Sequence, residues 1–192
     1  PDMATMLAFV LTDADVPPME LQDGFRMAVA HSFNSLSVDT DTSTSDTAAI
    51  LASGLAGEVD PQEFALALEA VCIDLTRQLA QDGEGATTLI EVTAHGARDD
   101  DQARRVAKSI VNSPLVKTAV NGADPNWGRV AMAIGKCSDD TDIDQSRVRI
   151  HFGDVEVYPA PCDQSTLGSL ERYLAGEEVH IGVDLGIGHG HW

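Results

Sequence analysis

Aromatic and basic side chains are scarce in this sequence of 192 residues. Aromatic residues make up only 5% of it, and 12 Lys and Arg stand against 31 Asp and Glu, for a formal net charge of -19. A field of this sign repels phosphate backbones and anionic lipid, so binding to nucleic acid and to membrane surfaces is disfavoured. With so few rings, the core has to be built mainly from Ala, Leu, Val and Ile.

Cysteine is also sparse, and long apolar runs are missing. Cys72, Cys137 and Cys162 lie far apart without Cys-x-x-Cys spacing, which gives no zinc or disulfide signature and fits a reducing compartment such as the cytoplasm. We expect buried, structural thiols. Apolar runs such as residues 6–11 are far shorter than the ~18–20 residues of a membrane span. The chain opens without the basic and apolar segments of a signal peptide.

Strand-like and helix-like segments alternate without repeats or a long linker, which predicts one mixed α/β unit with helices packed on sheet. Strands are predicted within residues 5–12, 87–97, 147–159 (a hairpin around Gly153) and 177–188, and helices within 16–36, 60–85, 98–113, 124–136 and 166–176. The strand at 5–12 is predicted to be largely buried.

Two helix starts are predicted from capping residues. Asp60 precedes Pro61 and, three positions on, Glu63, which is the signature of a capped first turn. The hydroxyl-rich stretch DTDTSTSD runs into TAAILASG, which we interpret as a turn followed by a short helix that ends near Gly54. Ser45 or Asp46 would cap that helix, although a ligand contact is an open alternative.

Thr5, in the stretch MATML, has two interpretations. A β-branched threonine commonly opens a strand. A threonine hydroxyl is also a competent nucleophile when a base lies beside it, and a free α-amine with a pKa of ~8 is such a base. Before cleavage, the same hydroxyl can attack the carbonyl of the preceding small residue, Ala4.

Five segments carry a resemblance. MATMLAFVLTDA, DTDTSTSDTA, DGEG, NSPLVKTAVNGADPNWGRV and VDLGIG follow one another in this order. In these motifs and their spacing the chain closely resembles the C-terminal, or β, half of the bifunctional glutamate N-acetyltransferase/ornithine acetyltransferase family. The resemblance covers nearly the whole chain.

The resemblance implies an α/β fold of the self-processing threonine-nucleophile type, with helices flanking two stacked β-sheets. It implies self-cleavage between Ala4 and Thr5, followed by catalysis through Thr5. The reaction would be ping-pong transfer of an acetyl group from N2-acetyl-L-ornithine to L-glutamate, with no metal or organic cofactor. Thr5 and Glu84 would bind substrate, the latter as the carboxylate partner of an ornithine ammonium group.

The same resemblance divides the chain. Residues 1–4 would be the end of an upstream α half, and residues 5–192 a β domain that lacks its C-terminal tail. The expected partner is that α half, in a heterotetramer of two α and two β chains. Neither nucleic acid nor a membrane is expected as a partner. Alternatives are an amide hydrolase or aminopeptidase with the same threonine, or an inactive fragment.

Two other motifs receive no role. In DPNWGR, Arg129 and Asn126 could contact a ligand, or Asp124 and Arg129 could pair and lock the loop, and Lys117 could pair with an acid. His189 and His191 share one face of an extended segment, but two histidines at a chain end are weak evidence for a metal. We interpret them as part of a solvated tail.

Overall fold

The computed structural model describes residues 5–40 and 43–192. The chain divides into two compact units, an N-terminal unit that ends at Glu84 and a C-terminal unit from Gly85 to Trp192. In the described part of the chain, no helix is both long enough and apolar enough to cross a bilayer.

The N-terminal unit pairs two strands and two helices. Its elements are β1 (Leu7–Asp15), α1 (Pro18–His31), β2 (Thr47–Glu58) and α2 (Pro61–Gln81). β1 and β2 are parallel, with Leu7 opposite Thr47. The start of α2 is as predicted, because the Asp60 carboxylate accepts hydrogen bonds from the N–H groups of Gln62 and Glu63, both at 2.9 Å.

The predicted helix that ends near Gly54 is wrong, because residues 47–58 form β2. Ala and Leu favour a helix locally, but pairing with β1, forty residues earlier in the chain, satisfies the backbone of this segment. At Gly54 the backbone has a φ of +73°, which glycine adopts without strain and which a helix does not use.

β1 is buried on one face only. On the inner face, Met6, Ala8 and Val10 pack into a cluster with Phe33 and Leu68. The outer face carries three large apolar side chains with exposed fractions between 61% and 75%, namely Leu7, Phe9 and Leu11. The expectation of a largely buried strand is therefore wrong for this face.

The C-terminal unit is built on a four-stranded sheet. Its elements are β3 (Leu89–His95), α3 (Asp100–Val111), α4 (Pro114–Asn121), α5 (Trp127–Gly135), β4 (Arg149–Phe152), β5 (Val155–Tyr158), α6 (Gln164–Leu174) and β6 (Glu178–Asp184). The strand order is β3-β6-β4-β5, with β3 parallel to β6 and the other pairs antiparallel. The predicted hairpin is β4–β5.

This sheet carries the larger core. The side chains of Val179, Ile181 and Val183 in β6 are buried, and α3 contributes Val106 and Ile110 at helical spacing. Most of the buried apolar side chains in both units are aliphatic, as the shortage of aromatic residues predicts. The α/β class and the presence of two sheets are confirmed.

The end of the chain is not a solvated tail. Trp192 exchanges two backbone hydrogen bonds with Ala94, both of 2.9 Å, and Gly190 pairs with Ala97. A Cβ atom on Gly190 would collide with the backbone of Asp99, so this close approach requires glycine. The side chains of His189 and His191 remain exposed.

The three cysteines are free, but only Cys72 is fully buried, while Cys137 and Cys162 are half-buried. Burial raises the pKa of the thiols of Cys72 and Cys137 above the ordinary value. Both thiols are therefore protonated at neutral pH and are poor nucleophiles.

Candidate active site

Thr5 lies two residues before the first residue of β1, and it is exposed. Its backbone φ is +41°, in the left-handed region that a β-branched residue rarely adopts. Such a conformation costs on the order of 1–3 kcal/mol and persists only where neighbouring contacts impose it. Ala4, the other residue of the predicted cleavage site, lies outside the described residues.

The hydroxyl of Thr5 has a defined neighbour. Its Oγ1 atom lies 2.9 Å from Oγ of Ser43, a residue 38 positions later in the chain. Ser43 Oγ also accepts a hydrogen bond of 3.1 Å from the backbone N–H of Ser45. The side chain of Ser43 is therefore held in place on one side while it contacts Thr5 on the other.

The backbone that follows Thr5 is held by the same loop. The N–H of Met6 donates to Oδ1 of Asp46 at 2.7 Å, and the carbonyl of Met6 accepts from the N–H of Thr47 at 2.9 Å. No helix begins here, so the prediction that Ser45 or Asp46 caps one is wrong. The Asp46 carboxylate instead satisfies a backbone donor beside the candidate nucleophile.

The sequence analysis did not predict that Ser43 and Asp46 lie beside Thr5. The signal available was the hydroxyl-rich stretch itself, placed directly before an apolar segment. Only the parallel pairing of β1 with β2 brings the two strand beginnings side by side, and with them Thr5 and Ser43.

Glu84 lies in the turn that follows α2 and is exposed. Gly85 next to it has a φ of +71°, which glycine adopts without strain. Among the described residues, no hydrogen bond joins Glu84 to Thr5 or Ser43. Thr5 and Glu84 both belong to the N-terminal unit.

The DPNWGR motif lies in the C-terminal unit, where its side chains make local contacts. Arg129 Nη1 donates to the carbonyl of Leu115 at 2.9 Å, and its Nη2 atom is 4.0 Å from the Asp124 carboxylate. Asn126 Nδ2 donates to the same carboxylate at 3.3 Å. These contacts favour the loop-locking interpretation of Asp124 and Arg129. Lys117 is half-buried on α4.

Within the described residues, no cluster of three His, Cys, Asp or Glu side chains could hold a metal ion. At the chain end, His191 Nδ1 lies 3.6 Å from Asp100 Oδ1, and the His191 backbone N–H donates to that same oxygen at 2.9 Å. The arrangement that stands out is instead an exposed threonine hydroxyl, in contact with a serine hydroxyl, on a strained backbone. Such a hydroxyl suits nucleophilic attack on a carbonyl carbon.

Comparison with known proteins identifies the family of this chain. A profile of the ArgJ family matches residues 1–192. The chain belongs to the ArgJ family. Its membership confirms the family resemblance found in the motifs.

Two curated relatives illustrate the similarity. The glutamate N-acetyltransferase Oat2 of Streptomyces clavuligerus is 58% identical over 99% of this chain and 50% of its own length. The arginine biosynthesis bifunctional protein ArgJ of Rhodococcoides fascians is 57% identical over 100% of this chain and 48% of its own. The chain thus spans about half the length of the curated ArgJ family relatives it matches.

The fold also matches a solved member of the ArgJ family. The crystal structure of arginine biosynthesis bifunctional protein ArgJ from Bacillus halodurans superposes with a TM-score of 0.90 at 41% sequence identity. The match covers 97% of this chain and 91% of that one.

Proposed function

We propose that this chain is the catalytic β half of an acetyltransferase that moves an acetyl group from N2-acetyl-L-ornithine to L-glutamate through Thr5. The observation that carries the proposal is the exposed Thr5 hydroxyl in contact with Ser43, at the head of β1. The names of the relatives, a glutamate N-acetyltransferase and arginine biosynthesis bifunctional proteins, agree with this chemistry.

Thr5 first acts on its own chain. Its Oγ1 atom attacks the carbonyl carbon of Ala4, the C–N bond of that peptide breaks, and the nitrogen of Thr5 takes up the proton. Water then hydrolyses the ester, which leaves a carboxyl group on Ala4 and a free α-amine on Thr5. The strained φ of Thr5 favours this step, because breaking the bond releases the strain.

The free amine then serves as the base. It takes the proton of the Thr5 hydroxyl while Oγ1 bonds to the acetyl carbon of N-acetylornithine, and it passes that proton to the departing amine of ornithine. In the second half of the reaction, the amine of glutamate attacks the acetyl ester, the C–O bond breaks, and Thr5 regains its proton. Glu84 holds the ammonium group of ornithine by charge.

A partner chain completes the enzyme in this proposal. The outer face of the β1–β2 sheet exposes apolar side chains, including Leu51 and Leu55 of β2 in addition to those of β1. Parallel sheets are ordinarily covered on both faces. We assign the cover to the upstream α half, in an assembly of two α and two β chains. The three free cysteines fit a cytoplasmic location.

The test is expression of the full-length precursor, with its upstream half, as wild type, Thr5→Ala and Thr5→Ser. Intact mass should show two polypeptides for the wild type, the second of which begins at Thr5, and one uncut chain for Thr5→Ala. Thr5→Ser keeps a hydroxyl and should still cut. A wild-type precursor that stays whole, or acetate as the sole product in the presence of glutamate, would contradict the proposal, and the second result would favour the hydrolase.

A further inference from the structure

In the hydrogen bond between Ser43 and Thr5 either hydroxyl could be the donor, and the chemistry can decide which one is. A serine hydroxyl has one proton to donate and two lone pairs that accept. The N–H of Ser45 already occupies one lone pair of Ser43, at 3.1 Å. The proton of Ser43 and its second lone pair remain for the bond of 2.9 Å to Thr5 Oγ1.

Either Ser43 donates its proton to Thr5 Oγ1 or it accepts the proton of Thr5. The proposed function, on which this inference rests, decides between these two directions. The proton of Thr5 has to pass to the α-amine of the same residue, so it is not available for a lasting bond to Ser43. We propose that Ser43 is a positioning residue that donates its proton to Thr5 Oγ1, so that the Thr5 proton points to the amine. The bond from Ser45 polarises the Ser43 hydroxyl and makes it a better donor.

The same loop sets the backbone of the nucleophile. The Asp46 carboxylate holds the N–H of Met6 at 2.7 Å, and the N–H of Thr47 holds its carbonyl. These two bonds fix the residue after Thr5, while Ser43 fixes the side chain of Thr5 itself. The Ser43 hydroxyl, the Asp46 carboxylate and the N–H of Thr47 therefore act together as one clamp on the nucleophile.

The donated bond acts in both half-reactions. When Oγ1 gives up its proton, and again when it leaves the acetyl carbon, negative charge develops on this oxygen, and a donor aimed at it lowers the energy of the transition state. Loss of one such neutral donor should reduce kcat about 10-fold. The contact with Ser43 is made by Thr5, so the KM for N-acetylornithine should stay within about twofold.

The experiment uses the full-length precursor carrying Ser43→Ala, Ser43→Thr, Thr44→Ala or Thr5→Ala. Ser43→Ala should lower kcat about 10-fold at nearly constant KM, and Ser43→Thr, which restores a hydroxyl, should recover kcat to within about threefold of wild type. Thr44→Ala is the matched control, because it removes an exposed hydroxyl from the same loop and leaves Ser43, Ser45 and Asp46 unchanged. It should behave as wild type.

Each other outcome overturns the inference. A wild-type kcat in Ser43→Ala shows that the bond does not orient the nucleophile. Equal losses of kcat and melting temperature in Ser43→Ala, Ser43→Thr and Thr44→Ala show that the loop has only a structural role. If Thr5→Ala remains active, the proposed function fails as well. If Thr5→Ala is inactive while Ser43→Ala is unaffected, the proposed function stands and only the role of Ser43 is wrong.

Discussion

The two units of this chain differ in how completely they bury their own sheets. In the C-terminal unit, the central strand β6 lies between β3 and β4, and its apolar side chains are buried. In the N-terminal unit, the sheet has two strands, and its outer face exposes Leu7, Phe9 and Leu11. Thr5 and Glu84 both belong to the N-terminal unit. The candidate chemistry therefore lies on the unit that leaves the most sheet surface uncovered.

The largest expected effect compares one side chain from each sheet. Ile150 in β4 is fully buried, whereas 75% of Leu11 in β1 is exposed. Ile150→Ala should lower the free energy of unfolding by about 2–5 kcal/mol, because it removes buried methyl groups and leaves a cavity. Leu11→Ala should change it by no more than about 0.5 kcal/mol.

Urea denaturation of residues 1–192 measures both variants. A loss in Leu11→Ala as large as that in Ile150→Ala would mean that the outer face of β1 is covered within this chain. The contrast between the units would then disappear.

The next effect concerns the candidate site of the N-terminal unit. In the cleaved enzyme, Glu84→Ala should reduce kcat/KM for N-acetylornithine roughly 10- to 150-fold, because a charge-assisted hydrogen bond contributes about 1.5–3 kcal/mol. Self-cleavage should proceed as before, since it needs no substrate ammonium group. Steady-state kinetics and intact mass provide the two readouts.

Asp82→Ala is the matched control for Glu84, because it removes an exposed carboxylate from the same turn. It should keep the wild-type kcat/KM. Equal losses in both variants would show that the turn matters only through its total charge.

A smaller effect lies in the C-terminal unit, at the one charged residue that is buried in the described part of the chain, Asp140. Arg105 donates two hydrogen bonds to its carboxylate, at 2.7 and 3.0 Å, and these lower its pKa from the ordinary value of 3.8. Asp140→Asn should cost about 1–3 kcal/mol at neutral pH, because it leaves Arg105 without its charged partner.

The pH dependence of this effect has a defined sign. Since folding lowers the pKa of Asp140, its stabilisation is fully present above the unfolded-state pKa and is lost as the pH falls through the folded-state value. The difference in stability between wild type and Asp140→Asn should therefore shrink below about pH 4. Asp101→Asn, at an exposed site in the same unit, should show a difference within about 0.5 kcal/mol at any pH. A constant difference for Asp140→Asn would contradict the assignment.

Local patterns predicted much of the fold and only part of the candidate site. The helix that starts at Asp60 and the hairpin around Gly153 follow from caps and turns that lie within a few residues. β2 was mistaken for a helix because Ala and Leu suit both structures, and its partner strand is distant in the sequence. Helix α4 was not predicted, although its start carries a Ser113 cap followed by Pro114.

The candidate site also shows that local sequence patterns do not predict contacts between distant residues. Thr5 and Glu84 were found through motifs, which are local strings. The contact of Thr5 with Ser43 joins residues 38 positions apart, and no local pattern contains it. It arises from the register of β1 against β2, which only the folded chain defines.

The central claim is that Thr5 carries the acetyl group between the two substrates. The most direct measurement is to incubate the cleaved enzyme with N-acetylornithine in the absence of glutamate, quench it with acid and map the acetylated peptide by mass spectrometry. The account predicts acetyl on Thr5 and its disappearance when glutamate is added before the quench. An unmodified Thr5, or an acetyl group that is removed by glutamate from another residue, would contradict it.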